Sequence, residues 1–205
     1  MKTTCLWIVI ASFLPLAASA QEIPSENTVT FGIKIRAGGR HDDVRMCVAT
    51  PAGSKLGPAM DVSFVTEFVL RDDLVLSLNV PVLRPLLFAA KFDMLQFEPD
   101  VTLKFVAKQG ERRDLVAGPS LGVSLHYGPD FQSELDGDLR GPSFFALGPR
   151  VGAYVGVNFK RPSESFGFEL GISPYLTPLF SINDPEAHQG RVVGGSLDAL
   201  LRFNR

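Results

Sequence analysis

The sequence predicts an all-β chain, an eight-stranded antiparallel transmembrane β-barrel with short periplasmic turns and longer extracellular loops. Three observations carry that expectation. The chain opens with an export signal, eight later segments alternate apolar and polar residues with period two, and the connectors between them alternate long and short.

The signal occupies residues 1–20. Lys2 gives a positive start, Leu6 to Leu14 form a short apolar run, and Pro15 ends it. Ala18-Ser19-Ala20 then places small residues where a signal peptidase reads. Residues 21–27 form a short N-terminal periplasmic segment, and 28–205 form the barrel. After Ala20 no stretch approaches the roughly 18 apolar residues of a spanning helix; Leu86-Leu87-Phe88-Ala89-Ala90 is the longest strictly apolar run.

Successive side chains of a strand point to opposite faces, so alternation identifies both the strand and its two sides. The first strand sets Val29, Phe31, Ile33, Ile35 and Ala37 against Thr30, Gly32, Lys34, Arg36 and Gly38. In the second, Met60, Val62, Phe64, Phe68 and Leu70 oppose Asp61, Ser63 and Glu67, with Thr66 a polar intruder. The third runs from Leu74 to Val82. A single fourth strand places Leu95, Phe97, Pro99, Val101, Leu103 and Phe105 opposite Gln96, Glu98, Asp100, Thr102 and Lys104.

The remaining four strands span Leu115 to Tyr127, Phe145 to Phe159, Phe166 to Leu176 and Val193 to Phe203. Strands of this length match the roughly 9–11 residues that cross a bilayer at a barrel's tilt. Pro99, Pro119, Pro149 and Pro174 fall inside strands and suggest bulges or bends. Phe31, Phe68, Phe105, Phe159, Phe166 and Phe203 cluster near one end, as an aromatic girdle would.

Short connectors lie at Arg71-Asp72-Asp73, Lys108 to Arg113 and Lys160 to Glu164. Long ones lie at Gly39 to Pro58, Leu83 to Met94, Gly128 to Pro142 and Thr177 to Gly190; Pro85 to Leu95 has room for one helical turn. This is the asymmetry of outer-membrane barrels.

The polar face is rich in small residues and carries charges of both signs. Lys34, Arg36, Lys104, Arg150 and Arg202 stand against Asp61, Glu67, Glu98, Asp100, Glu169 and Asp198. Near-cancellation suits a narrow lumen in which charges pair, and the expectation is a structural ion network. Lys34 and Arg36 are expected near Glu67 or Asp198, since closure makes the second and eighth strands neighbours of the first. A soluble β-sandwich also alternates, but its outer face would be charge-rich over open sheets. The barrel is the better fit.

Composition excludes several classes. With Lys2 removed, 19 basic against 22 acidic residues leave a formal charge of −3, without the basic block that nucleic acid requires. Cys47 is then the only cysteine, so no internal disulfide forms. The acidic stretch Glu134-Leu135-Asp136-Gly137-Asp138 lacks a full calcium-loop pattern. His41, His126 and His188 are read as solvated loop or rim residues. No cofactor, metal site or catalytic residue is expected.

On this pattern the chain resembles the small eight-stranded outer-membrane barrels, the class of OmpX, OmpW and the OmpA membrane domain. Members end in an aromatic assembly signal. Leu201 and Phe203 are similar to it, although Asn204-Arg205 follow and Asp198 stands where glycine is usual. The resemblance implies outer-membrane localisation, contact with outer-membrane lipids and the barrel-assembly machinery, and a monomer with an envelope or surface protein as possible partner. Some such barrels modify lipid A with a His and Ser two apart; Ser124 and His126 have that spacing in reversed order. The leading function is structural, anchoring or surface interaction. The alternatives are a narrow conduit for small or lipophilic solutes and, weakly, an enzyme.

Overall fold

The computed structural model describes residues 29–43, 56–92, 95–131, 140–160, 166–183 and 190–203. The signal, the 21–27 segment, Cys47, the 134–138 acidic stretch and His188 lie outside them. The elements are β1 (Val29–Asp42), β2 (Leu56–Arg71), β3 (Leu74–Pro81), α1 (Leu83–Phe92), β4 (Leu95–Phe97), β5 (Asp100–Lys108), β6 (Arg113–Phe131), β7 (Arg140–Phe159), β8 (Phe166–Ser181) and β9 (Gly190–Phe203).

Every strand pairs antiparallel with its neighbours, and β1 joins β9 from Phe31↔Phe203 to Asp42↔Val192. β6 also pairs with β7, so the sheet closes on itself. Nine strands make eight staves, because β4 and β5 share one position against β6. The expected single fourth strand is thus corrected. It breaks at Glu98-Pro99, where proline offers no ladder N–H.

Three further expectations change. Strands run well into the expected long loops: β1 continues to Asp42 against a β2 that starts at Leu56, with Gly39↔Pro58, Arg40↔Gly57 and His41↔Leu56 still in register. Likewise β6 reaches Phe131 and β8 reaches Ser181. Glycines and prolines read locally as loop signals, but a neighbouring strand already in register overrides them. The helix is also longer than one turn. Its ten residues tolerate Pro85 because the N–H groups of a first turn have no helical partner anyway.

Of the four prolines expected at bulges or bends, Pro119, Pro149 and Pro174 make no bulge, and Pro99 marks the break. Pro119↔Ala153, Val123↔Pro149 and Pro174↔Gly195 all stay in register. The register shifts fall instead near strand ends, at Val69/Arg71, Val106/Lys108 and Pro129/Phe131.

The two faces of the wall are the reverse of a water-soluble core. Outward positions carry exposed apolar side chains on every stave, among them Ile33, Phe64, Leu121, Val151, Ile172 and Leu197. Inward positions are buried and mostly polar or charged. Phe31, Phe68, Phe105, Phe166 and Phe203 are exposed around the turn end. Phe166 meets Phe203 edge-on at 6.0 Å between centroids, and Phe159 lies 5.8 Å from Phe168.

Small residues on the inner face make room for large ones. Tyr154 is 2% exposed and lies across Gly156 and Gly171; a Cβ at either would stand 2.4 Å from its hydroxyl oxygen. Gly171→Ala is therefore expected to push Tyr154 off its site and to cost about 1–3 kcal/mol, the range for overpacking. Urea unfolding of the folded barrel measures it; an unchanged midpoint would mean that Tyr154 is not fixed there.

Candidate functional site

The lumen is the one place where chemistry-bearing side chains converge among the described residues. Period-two geometry brings them there, since each stave contributes every second residue. Three tiers follow from the turn end to the loop end.

The lowest tier is a four-membered ring of alternating charge. Lys104 Nζ lies 2.7 Å from Glu67 Oε1 and 2.6 Å from Glu169 Oε1. Arg202 bridges the same two carboxylates from β9 and donates to Asn158 Oδ1 at 2.9 Å. The Tyr154 hydroxyl donates to Glu169 Oε1 at 2.6 Å. Below the ring a basin of about 400 Å³ opens, lined partly by Val69, Val75, Val106 and Val116.

In the middle tier Arg36 Nη1 donates to Asp100 Oδ2 at 2.6 Å, while its Nε is 3.6 Å from Asp198 Oδ2. Asn79 holds the other Asp100 oxygen at 2.8 Å. Ser173 and Ser196 donate to the two oxygens of Asp198, at 2.7 and 2.6 Å.

The upper tier is organised by one carboxylate, Glu98, at the break between β4 and β5. It accepts from Arg40 Nη1 at 3.4 Å, Arg84 Nη2 at 2.7 Å, Arg150 Nη1 at 3.1 Å and Ser124 Oγ at 3.1 Å. His126 Nε2 lies 3.1 Å from the same group. Arg40 also donates to Asp42 at 2.6 Å. Arg84 takes a second carboxylate, with Nε 3.5 Å from Asp61 Oδ2 and its backbone N–H donating to Asp61 Oδ1 at 3.0 Å. The Arg150 guanidinium stacks 3.8 Å over the Tyr175 ring.

All eleven lumen residues expected from the sequence thus face one interior, but two details differ. Lys34 pairs with neither Glu67 nor Asp198. It is 1% exposed, has no carboxylate within 4 Å among the described residues, and lies 5.5 Å from the Tyr154 ring centroid, to which Lys104 also approaches within 5.0 Å. A quadrupolar ring face partly replaces a counter-ion. Arg36 does find Asp198, yet its shorter contact is Asp100, across the lumen rather than on an adjacent stave.

Four charges were missed: Arg40, Asp42, Arg84 and, at the turn end of β6, Asp114. The first two continue the inward parity of Lys34 and Arg36 past Gly39, where a loop was expected. Arg84 sits on a helix, where period two carries no information. With them the lumen holds seven cations, Lys34, Arg36, Arg40, Arg84, Lys104, Arg150 and Arg202. Against them stand eight carboxylates, Asp42, Asp61, Glu67, Glu98, Asp100, Asp114, Glu169 and Asp198.

His126 is a correction too. It is no rim residue: it is fully buried on the inward parity of β6. His41 remains half-exposed, with Nδ1 3.8 Å from Asp43. Ser124, His126 and Glu98 do touch, but both partners contact the same Nε2, at 3.0 and 3.1 Å, and Nδ1 has no partner. A catalytic histidine needs its orienting acid on the nitrogen opposite its serine. This set lacks that arrangement. No group of three or more metal-ligating side chains lies close enough to hold a metal among the described residues.

No protein-family model matches the sequence. No curated protein matches it either. Among solved structures, the crystal structure of Neisserial surface protein A (NspA) is similar, with a TM-score of 0.52. It covers 88% of this chain and 98% of NspA at 11% identity. At that identity the likeness concerns the fold, a closed eight-stave antiparallel barrel of the small outer-membrane type.

Proposed function

We propose that this chain is an integral outer-membrane barrel, without enzymatic activity, that anchors its loop-end segments at the cell surface for contact with an envelope or surface partner. One observation carries the reading: the outer wall is apolar on every stave while charges fill the interior. In water that arrangement would leave a continuous apolar surface exposed, far beyond the few hundred Å² a soluble monomer tolerates. In a bilayer the same surface is the solvated one, and closure pairs the strand edges around the ring except at the loop-end gap between β2 and β4, which α1 covers.

The anchoring reading is favoured over the conduit by the tiers themselves. Ion pairs cross the lumen at three levels, and eight staves leave an interior just wide enough for side chains. The similarity to a protein named for the cell surface supports the same reading.

Cysteine labelling on intact cells tests the orientation. In a Cys47→Ser background, cysteines at Asp136 and Gly190 are expected to react with an impermeant maleimide, and one at Asp72 is not; the reverse pattern would overturn it. Planar bilayers test the anchor against the conduit, because a lumen crossed by ion pairs gives no unitary conductance steps.

A further inference from the structure

The wall is not built of strands all the way round. β3 stops at Pro81 and β5 starts at Asp100, whereas β2 continues upward from Val62 to Leu56. On that upper stretch β2 pairs only with β1, and β4 pairs only with β6. Between them no strand pairing spans the gap, and α1 fills it, touching β2 and β4.

Polar contacts tie the helix in at its start. Val82 N–H donates to Val62 O at 2.8 Å just before it begins. Arg84 then reaches inward to Asp61 and Glu98, while Leu83, Leu86 and Leu87 are exposed. Directly behind lies a cavity of about 30 Å³ lined by Arg84, Asp61, Glu98, Arg36, Arg150 and Tyr175 among others. Four buried atoms of its lining, Asp61 Oδ2 and the Nε atoms of Arg36, Arg84 and Arg150, have no hydrogen-bond partner.

We propose that α1 is a movable panel in the barrel wall, and that the Asp61–Glu98 pair behind it is a binding site for a cationic amphiphile, which Arg84 fills when the panel is shut. The charge balance sets the sign of the ligand. With Arg84 withdrawn, the lumen above the turn-end ring keeps Lys34, Arg36, Arg40 and Arg150 against Asp42, Asp61, Glu98, Asp100 and Asp198. That surplus of negative charge recruits a cation, and a guanidinium or ammonium head reproduces what Arg84 supplied. The apolar outer side of the panel sets the rest, since entry there is from the hydrocarbon phase and favours a head carrying a tail. The proposal rests on the membrane reading above and adds a ligand to it.

The test uses the full mature chain in non-ionic detergent, with dodecylguanidinium as probe. Dodecylguanidinium is expected to speed amide exchange across residues 82–92 by about tenfold or more while β7 is unchanged. Arg84→Ala is expected to bind it about tenfold more tightly than wild type, because the internal competitor is gone, and Asp61→Asn to bind it about tenfold more weakly. No exchange response in the wild type together with no gain in Arg84→Ala overturns the site. An equal response to dodecanoate overturns its charge preference, and an equal response to methylguanidinium overturns entry through the wall. Failure of the membrane reading shows separately, as a wild type that stays monomeric in buffer without detergent.

Discussion

Replacing Glu98 by glutamine is expected to destabilise the barrel by about 3–5 kcal/mol, the cost of breaking a buried ion pair from one side. The substitution keeps shape and volume and removes only charge. Three guanidiniums, from β1, α1 and β7, would then share a neutral amide in a site where Glu98 itself is 1% exposed. Arg40 would retain Asp42 and Arg84 would retain Asp61, but Arg150 would keep only the Tyr175 ring. Urea titration followed by the gel shift between folded and unfolded barrel measures the loss. Ser63→Ala is the control, because the buried Ser63 hydroxyl has no hydrogen-bond partner and its removal leaves nothing orphaned. Equal midpoints for Glu98→Gln and Ser63→Ala would mean that the lumen charges are solvated rather than paired.

Arginine on the outer wall gives the second large effect, and its size reports the surrounding medium. Val151 stands at mid-height on β7, half-exposed, between Leu121 of β6 and Leu176 of β8. In water Val151→Arg would change stability by no more than about 0.5 kcal/mol, as for any exposed site. At the midplane of a bilayer it costs about 2–4 kcal/mol, and near an interface about 0–1. Leu70→Arg, beside the β2–β3 turn, belongs to the second class. Refolding into lipid vesicles should therefore separate the two substitutions by at least about 1 kcal/mol. Indistinguishable refolding energies would remove the membrane from this account.

Much of the barrel could be read from parity alone, for a physical reason. Where one face meets an apolar medium and the other a packed polar interior, each residue is constrained by its side, and period two survives along the whole strand. The same logic placed all eleven network charges inward. What escaped it was anything set by a neighbour rather than by the local sequence. Arg40 and Asp42 lie beyond Gly39, where the pattern reads as a loop until β2 and β9 supply register partners on both sides. The break at Pro99 and the helix that covers the adjoining gap depend on how far β3 extends, and Pro81 closes β3 without a pattern that announces it. His126 was on the inward parity yet was assigned to the rim, because β6 proves four residues longer than its alternation suggested. Lys34 shows the opposite limit: its side was legible, but its partner, an aromatic ring, was not.

The charge tiers also bear on the order of events during assembly. Arg202 reaches Glu67 across 135 residues of sequence, and Arg36 reaches Asp100 across 64. The first requires the last strand to have met the first two, and the second requires β1 and β5 to have curled to face each other. A hairpin entering the bilayer early would carry Glu67 or Lys104 into hydrocarbon without a counter-ion, at several kcal/mol for each. The cheapest route holds the inward faces against water or against each other until closure, so that insertion and closure proceed as one step. Single hairpins of this chain are then expected to remain surface-bound, and the rate of assembly to be governed by the meeting of β1 and β9, the contact most distant in sequence.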